Sequence, residues 1–146
     1  MAERKATAEW NGSLMEGEGN IALGSGMFNG AFSFATRMGD EPGTNPEELL
    51  GASLAGCYAM ALNATLEKQG TPAKNVKAEA KVFLGKDESG FKINRIDLEA
   101  TAEVEGIDQE KVAAVAEEVK KGCPISRALA ATDITLKATL VKAIAA

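Results

Sequence analysis

Eighteen consecutive residues without a charge, "LLGASLAGCYAMALNATL" from Leu49 to Leu66, constrain this chain more than any other stretch. An apolar run of that length either crosses a membrane or is covered by protein. This one is rich in Gly, Ala and Ser and contains Asn63 and Thr65, a composition that fits a protein interior better than lipid. Just upstream lies a helix start, with Asn45 as N-cap, Pro46 at the first helical position and Glu48 placed three residues after the cap to return a hydrogen bond. The spacing predicts a helix from Asn45 to Gln69, stopped by Gly70. At about 1.5 Å per residue such a helix spans roughly 37 Å, the width of a domain of this size, and is expected to be central. Leu49, Leu50, Leu54, Cys57, Met60 and Leu62 point in several directions around its axis. One apolar stripe cannot account for them, so most of the helix surface should be covered, part of it by a partner subunit.

The flanking segments read as strands and shorter helices. Ala6, Ala8 and Trp10 alternate with polar residues, and "EGEGNIALGSGMFNGAFSF" reads as short strands joined by turns. Val76, Ala78, Ala80, Val82 and Leu84 keep a period of two. After the turn "GKDESG", Phe91 and Ile93 alternate, then Ile96, Leu98, Ala100, Ala102 and Val104 continue on the other parity, which places a bulge or bend at Asn94 and Arg95. A second helix is expected after the N-cap Asp108, with Ile107 and Val112 as a hydrophobic staple, Val112, Val115, Ala116 and Val119 on one face, and a stop at Gly122. "CPISRALAA" reads as a short helix with Cys123 at its cap and Pro124 at its first position, ahead of a last strand that turns Ile134, Leu136, Ala138 and Leu140 inward. Trp10 and the methionines are expected in the core. Strands segregate from helices, so the class is α+β, a single domain over residues 1–146 with no internal repeat and no linker.

Composition excludes several functions. A net charge of -5, spread acidic residues and no basic cluster interleaved with aromatics argue against nucleic-acid binding. The N-terminal "MAERKATAEW" lacks the apolar centre of a secretory signal, so a cytoplasmic location is expected. In a reducing compartment the two cysteines, Cys57 and Cys123, are inert, metal-binding or redox-active. With no histidine in the chain there is no Cys–His nucleophile pair, and a metal site is the weakest option. No cofactor is expected.

A thiol in apolar surroundings is a poor nucleophile unless a cation or a hydrogen-bond donor favours its thiolate. Without histidine the cation must be Lys or Arg, and Arg37 lies in the approach "FATRMGDEPGTNPEE" that leads into the cysteine helix. Its guanidinium stays charged when desolvated and can bridge a carboxylate and a second anion, and Glu47 is the obvious carboxylate. Glu47 and Cys57 are ten residues apart, about 15 Å along a straight helix, so they cannot meet within one. Either the helix breaks near Gly51 or Gly56, or Arg37 and Glu47 serve the Cys57 of another chain.

The strings "TRMGDEPGTNPEELLGASLAGCYAMAL" and "KKGCPISRAL", with the order of strands and helices around them, resemble the osmotically inducible protein C (OsmC) family, relatives of the organic hydroperoxide resistance (Ohr) proteins. The similarity covers essentially the whole chain. It implies an OsmC-like fold of antiparallel sheets packed on a long central helix, in an intertwined homodimer. It also implies a thiol-dependent peroxidase acting on organic hydroperoxides and more weakly on hydrogen peroxide. In that reading Cys57 attacks the peroxide, Cys123 resolves the sulfenic acid as a disulfide, Arg37 and Glu47 form the activating pair, and a dithiol, such as a lipoylated protein, is the reductant. The Ohr branch carries a catalytic arginine in its N-terminal strand region, where "NGSLMEGEGN" has none, so the chain looks closer to the OsmC branch. The alternative is a non-catalytic, stress-associated binding dimer with unreactive thiols.

Overall fold

Alternation of small apolar and polar residues fixes the first three strands, β1 (Ala6–Asn11), β2 (Glu18–Leu23) and β3 (Asn29–Phe32), which form an antiparallel sheet in that order. A computed structural model describes residues 1–142 of the chain, and these divide into two compact units, residues 1–49 and the residues from Leu50 onward. In the first unit, Trp10 on β1, Gly19 on β2 and Phe32 on β3 stand in one row across the sheet. A Cβ at Gly19 would lie 2.4 Å from the Phe32 ring and 2.8 Å from Trp10, so glycine is what lets the two rings approach, with centroids 5.4 Å apart. Trp10 therefore lies on a sheet face, about a third exposed, and not in the core as expected. The methionines differ in the same way: Met15, Met27, Met38 and Met60 are exposed on the single chain.

The strand pattern "GAFSF" is expected to run through Phe34. The strand ends at Phe32 instead, and Phe34 opens a one-turn helix, α1 (Phe34–Met38), because Ser33 and Thr36 close a reciprocal capping box and the Thr36 hydroxyl also donates to the Thr44 carbonyl.

The helix α2 (Pro46–Lys68) begins and ends as its caps dictate. The Asn45 side chain accepts from the Glu48 N–H at 2.7 Å, and left-handed Gly70 turns the chain so that the Thr71 N–H and hydroxyl both reach the Leu66 carbonyl. The Glu48 carboxylate accepts from the Thr44 hydroxyl and does not close the box expected of it. No break occurs at Gly51 or Gly56. By length and composition α2 could cross a membrane, but Leu54, Tyr58, Leu62 and Leu66, one position per turn, are fully buried in the second unit. The all-round cover expected of the helix is not found within one chain, where Ala52, Ser53, Gly56, Met60, Asn63 and Ala64 remain exposed.

That second unit is built on a sheet of β4 (Ala73–Asp87), β5 (Gly90–Val104) and β6 (Asp133–Val141), in that order. Its inner face is a set of apolar rows set by register: Val82–Ile96–Ile134, Ala80–Leu98–Leu136, Ala78–Ala100–Ala138 and Val76–Ala102–Leu140. The register of β4 and β5 shifts where Phe83 faces Arg95 and Leu84 faces Ile93, which leaves Asn94 as the bulge that its change of parity predicts. β4 and β5 are antiparallel, but β6 runs parallel to β5, correcting the expectation of purely antiparallel sheets. The reason lies in the connection: α3 (Gln109–Gly122) and α4 (Pro124–Ala128) carry the chain back across the sheet before β6 begins, as a parallel pair requires. α3 starts at Asp108, whose side chain accepts from the Lys111 N–H, and buries Val112, Val115, Ala116 and Val119. Gly51 permits close approach of α2 to β4, since a Cβ there would stand 3.2 Å from the Ala80 carbonyl oxygen.

Candidate functional site

Two groups of site residues take shape, one in each unit. In the first, α1 presents Arg37 and the opening turn of α2 presents Glu47. The guanidinium grips the carboxylate in a fork, with Nε 3.2 and 3.1 Å from the two oxygens and a terminal nitrogen 2.7 Å from Oε1. Glu47 is buried while Arg37 keeps 38% of its side chain exposed, so the pair holds a guanidinium in fixed orientation with part of its surface free for another group. The sequence left Glu47 divided between a helix-start charge and a partner for Arg37. It is both.

In the second unit the cap of α4 packs beside the middle of α2, and the sulfurs of Cys57 and Cys123 lie 2.8 Å apart as free thiols. Cys57 is half-buried and Cys123 is 1% exposed. Burial pushes the Cys57 thiol up, and the neighbouring Cys123 adds to the rise against a weaker pull from the Ile125 backbone N–H. Burial works on Cys123 in the same sense, but the Cys57 thiol, the N–H and hydroxyl of Ser126 and the Ile125 N–H together hold Cys123 below the ordinary cysteine value. Among the described residues from Leu50 onward, the groups that set the acidity of Cys57 include no cation.

Two neighbours of the thiols escaped the sequence reading. Tyr58, next to Cys57, is fully buried and donates from its phenol to the Ala116 carbonyl of α3 at 2.8 Å. Ser126 is buried, its hydroxyl makes no hydrogen bond, and it stands one turn beyond Cys123, whose thiol it helps to hold low. A signal for Ser126 was present: in "CPIS" it occupies the third helical position after the cap, the position whose side chain reaches back toward the cap residue. No group of three or more potential metal ligands occurs among the described residues.

Two sheets with their helices, and a pair of thiols in sulfur-to-sulfur contact between two helices, define an α+β protein of the paired-thiol class. Residues 39–138 match the family model described as OsmC-like protein, and the chain belongs to that family. It is 39% identical to peroxiredoxin OsmC of Escherichia coli (strain K12) over 134 residues, 91% of this chain and 93% of that one. To the organic hydroperoxide resistance protein OhrB of Bacillus subtilis (strain 168) it is 33% identical over 90 residues, 60% of this chain and 63% of the relative. The crystal structure of that OhrB superposes with a TM-score of 0.67 at 26% identity, covering 94% of this chain and 98% of the other. An organic hydroperoxide resistance protein from Elizabethkingia anophelis shares the fold with a TM-score of 0.78 at 24% identity, over 98% of each chain. The resemblance read from the two cysteine motifs thus holds.

Proposed function

We propose that this protein is a cysteine-based peroxidase that reduces organic hydroperoxides, and hydrogen peroxide more weakly. The observation that carries the reading is the 2.8 Å approach of two free thiols from segments 66 positions apart. The names of the relatives, a peroxiredoxin and an organic hydroperoxide resistance protein, point to the same chemistry. The Cys57 thiolate attacks one oxygen of the O–O bond, the bond breaks, and the alkoxide leaves as an alcohol after taking a proton. Cys57 is then a sulfenic acid. The Cys123 thiolate attacks its sulfur, hydroxide departs and is protonated to water, and a Cys57–Cys123 disulfide remains. An external dithiol, such as a lipoylated protein, reduces that disulfide by exchange and becomes a disulfide itself.

Because burial raises the pKa of Cys57, its thiolate needs a cation brought to it. Arg37, oriented by Glu47, is assigned that role, and its unpaired surface is assigned to the peroxide oxygens. An unbroken α2 favours the arrangement in which Arg37 and Glu47 serve the Cys57 of a second chain, and the exposed face of α2 favours an intertwined homodimer around a central helix. The protein is assigned to the cytoplasm, with no membrane or nucleic-acid partner.

The same raised thiol favours a second reading, a stress-associated binding dimer with unreactive cysteines. One experiment separates them. After one equivalent of cumene hydroperoxide, mass spectrometry of the reduced protein should show loss of two hydrogens and a peptide linked through positions 57 and 123. An unchanged mass overturns the peroxidase.

A further inference from the structure

We propose that Ser126 is the positioning residue that makes Cys123 the leaving sulfur when the Cys57–Cys123 disulfide is reduced, and so directs the reducing thiol onto Cys57. This inference rests on the peroxidase reading for its biological use, but its chemistry concerns the thiol pair alone. The geometry begins with the backbone: Pro124 opens α4, Cys123 precedes it as the cap, and Ser126 stands one turn on, among the groups that lower the Cys123 thiol. The hydroxyl is buried and makes no hydrogen bond. A buried hydroxyl without a bond is costly, and the Cys123 sulfur on which Ser126 acts accepts well as a thiolate, the state in which that cost would be relieved. Among the described residues, the one group that lowers the Cys57 thiol is the Ile125 N–H, against the several that lower Cys123.

The consequence follows from thiol–disulfide exchange. The incoming thiolate bonds to one sulfur while the S–S bond breaks and its electron pair leaves on the other, and the sulfur better stabilised as thiolate leaves faster. Ser126 therefore favours departure of the Cys123 thiolate and attack on Cys57. Access works in the same direction, because Cys57 is half-buried and Cys123 is sealed. The mixed disulfide between Cys57 and the reductant is then opened by the second thiol of the dithiol, which leaves both cysteines reduced and the dithiol oxidised.

The test uses the full chain and two readouts that need no peroxide. In a Cys57→Ser background, where Cys123 is the sole thiol, its ionisation is followed by ultraviolet thiolate absorbance against pH. Adding Ser126→Ala should move the profile to higher pH, and Ser126→Thr, which keeps the hydroxyl, should restore it. In the protein with both cysteines, a disulfide made with diamide should be reduced by dithiothreitol about 5-fold more slowly in Ser126→Ala, since a hydrogen bond to a charged group is expressed only in part in the leaving-group dependence. Unchanged ionisation and reduction rates in a folded Ser126→Ala protein would overturn the proposal. Should alanine prevent folding, the shape-matched pair Ser126→Thr and Ser126→Val decides, and equal profiles overturn it. Failure of the peroxidase reading would appear separately, as thiols inert to cumene hydroperoxide alongside a profile that still shifts.

Discussion

The phenol of Tyr58 donates a 2.8 Å hydrogen bond to the backbone carbonyl of Ala116, tying the helix that carries Cys57 to the helix that ends beside Cys123. The Ala116 carbonyl lies inside α3 and keeps its helical partner when the phenol is removed, so Tyr58→Phe orphans no group. The variant should lose about 1 kcal/mol of unfolding free energy, the net worth of one buried hydrogen bond, read as a lower urea midpoint. Burial, with Glu117 and Cys123 adding to it, pushes the phenol well above the ordinary tyrosine range. An unfolded tyrosine releases its proton near its ordinary value of 10.0 while the folded one holds on, so unfolding gains as pH rises past that point. The wild-type chain should therefore lose stability above about pH 10 by this route, and Tyr58→Phe should lose less of it. Parallel alkaline curves for the two proteins would refute the assignment.

Removing Arg37 separates chemistry from stability. Arg37→Met leaves the Glu47 carboxylate buried without its fork, but the guanidinium is 38% exposed and solvent screens the pair, so a stability loss of about 1 kcal/mol is expected. The rate of Cys57 oxidation should fall much further, on the order of 10²-fold, as when one preorganised charge-stabilising donor is lost. Stopped-flow peroxide kinetics on the folded variant check this. Wild-type kinetics would remove Arg37 from the chemistry.

Much of this was legible because local rules decide it. Asp108 caps α3, and the parity change around Asn94 marks the bulge, because caps and pleat periodicity depend on neighbours in sequence. The one-turn α1 was hidden in "AFSFA", where two phenylalanines two apart imitate a strand and the Ser33–Thr36 box carries the only contrary signal. Trp10 and Met60 were misplaced for a different reason: hydrophobicity says that a residue seeks cover, not that its own chain supplies it. No local rule brings Cys123 to Cys57 across 66 positions. That pairing came from the resemblance, and the parallel entry of β6 through α3 and α4 is the topology around it.

The exposed face of α2 supports a prediction about assembly. Met60 is 79% exposed, and Ala52, Ser53, Gly56, Asn63 and Ala64 lie open beside it, on a helix with no charge between Leu49 and Leu66. Small uncharged residues on such a face permit close packing of a second copy, and obligate interfaces of this kind bury on the order of 2,000 Å² or more. Sedimentation at low micromolar concentration should show a homodimer that separates only as it unfolds. A stable, active monomer would contradict it.

The two cysteines should fail differently when removed, and the asymmetry follows from their surroundings. Cys57 is the more accessible sulfur, and burial disfavours its thiolate, so it reacts only where a cation draws that thiolate out. Cys123 is sealed from solvent and held toward its thiolate by Ser126 and Ile125, which suits attack on a neighbouring sulfur and not on a peroxide from outside. Cys57→Ser should therefore abolish peroxide consumption. Cys123→Ser should still react once, accumulate a Cys57 sulfenic acid detectable by dimedone labelling, and overoxidise to the sulfinic acid under excess peroxide, because no thiol remains to condense with it. Turnover with dithiothreitol should fall in this variant, since a serine hydroxyl cannot take part in exchange. If Cys57→Ser keeps its first turnover while Cys123→Ser loses it, the two roles are reversed, and if both variants consume peroxide at the wild-type rate, the peroxidase reading itself is wrong.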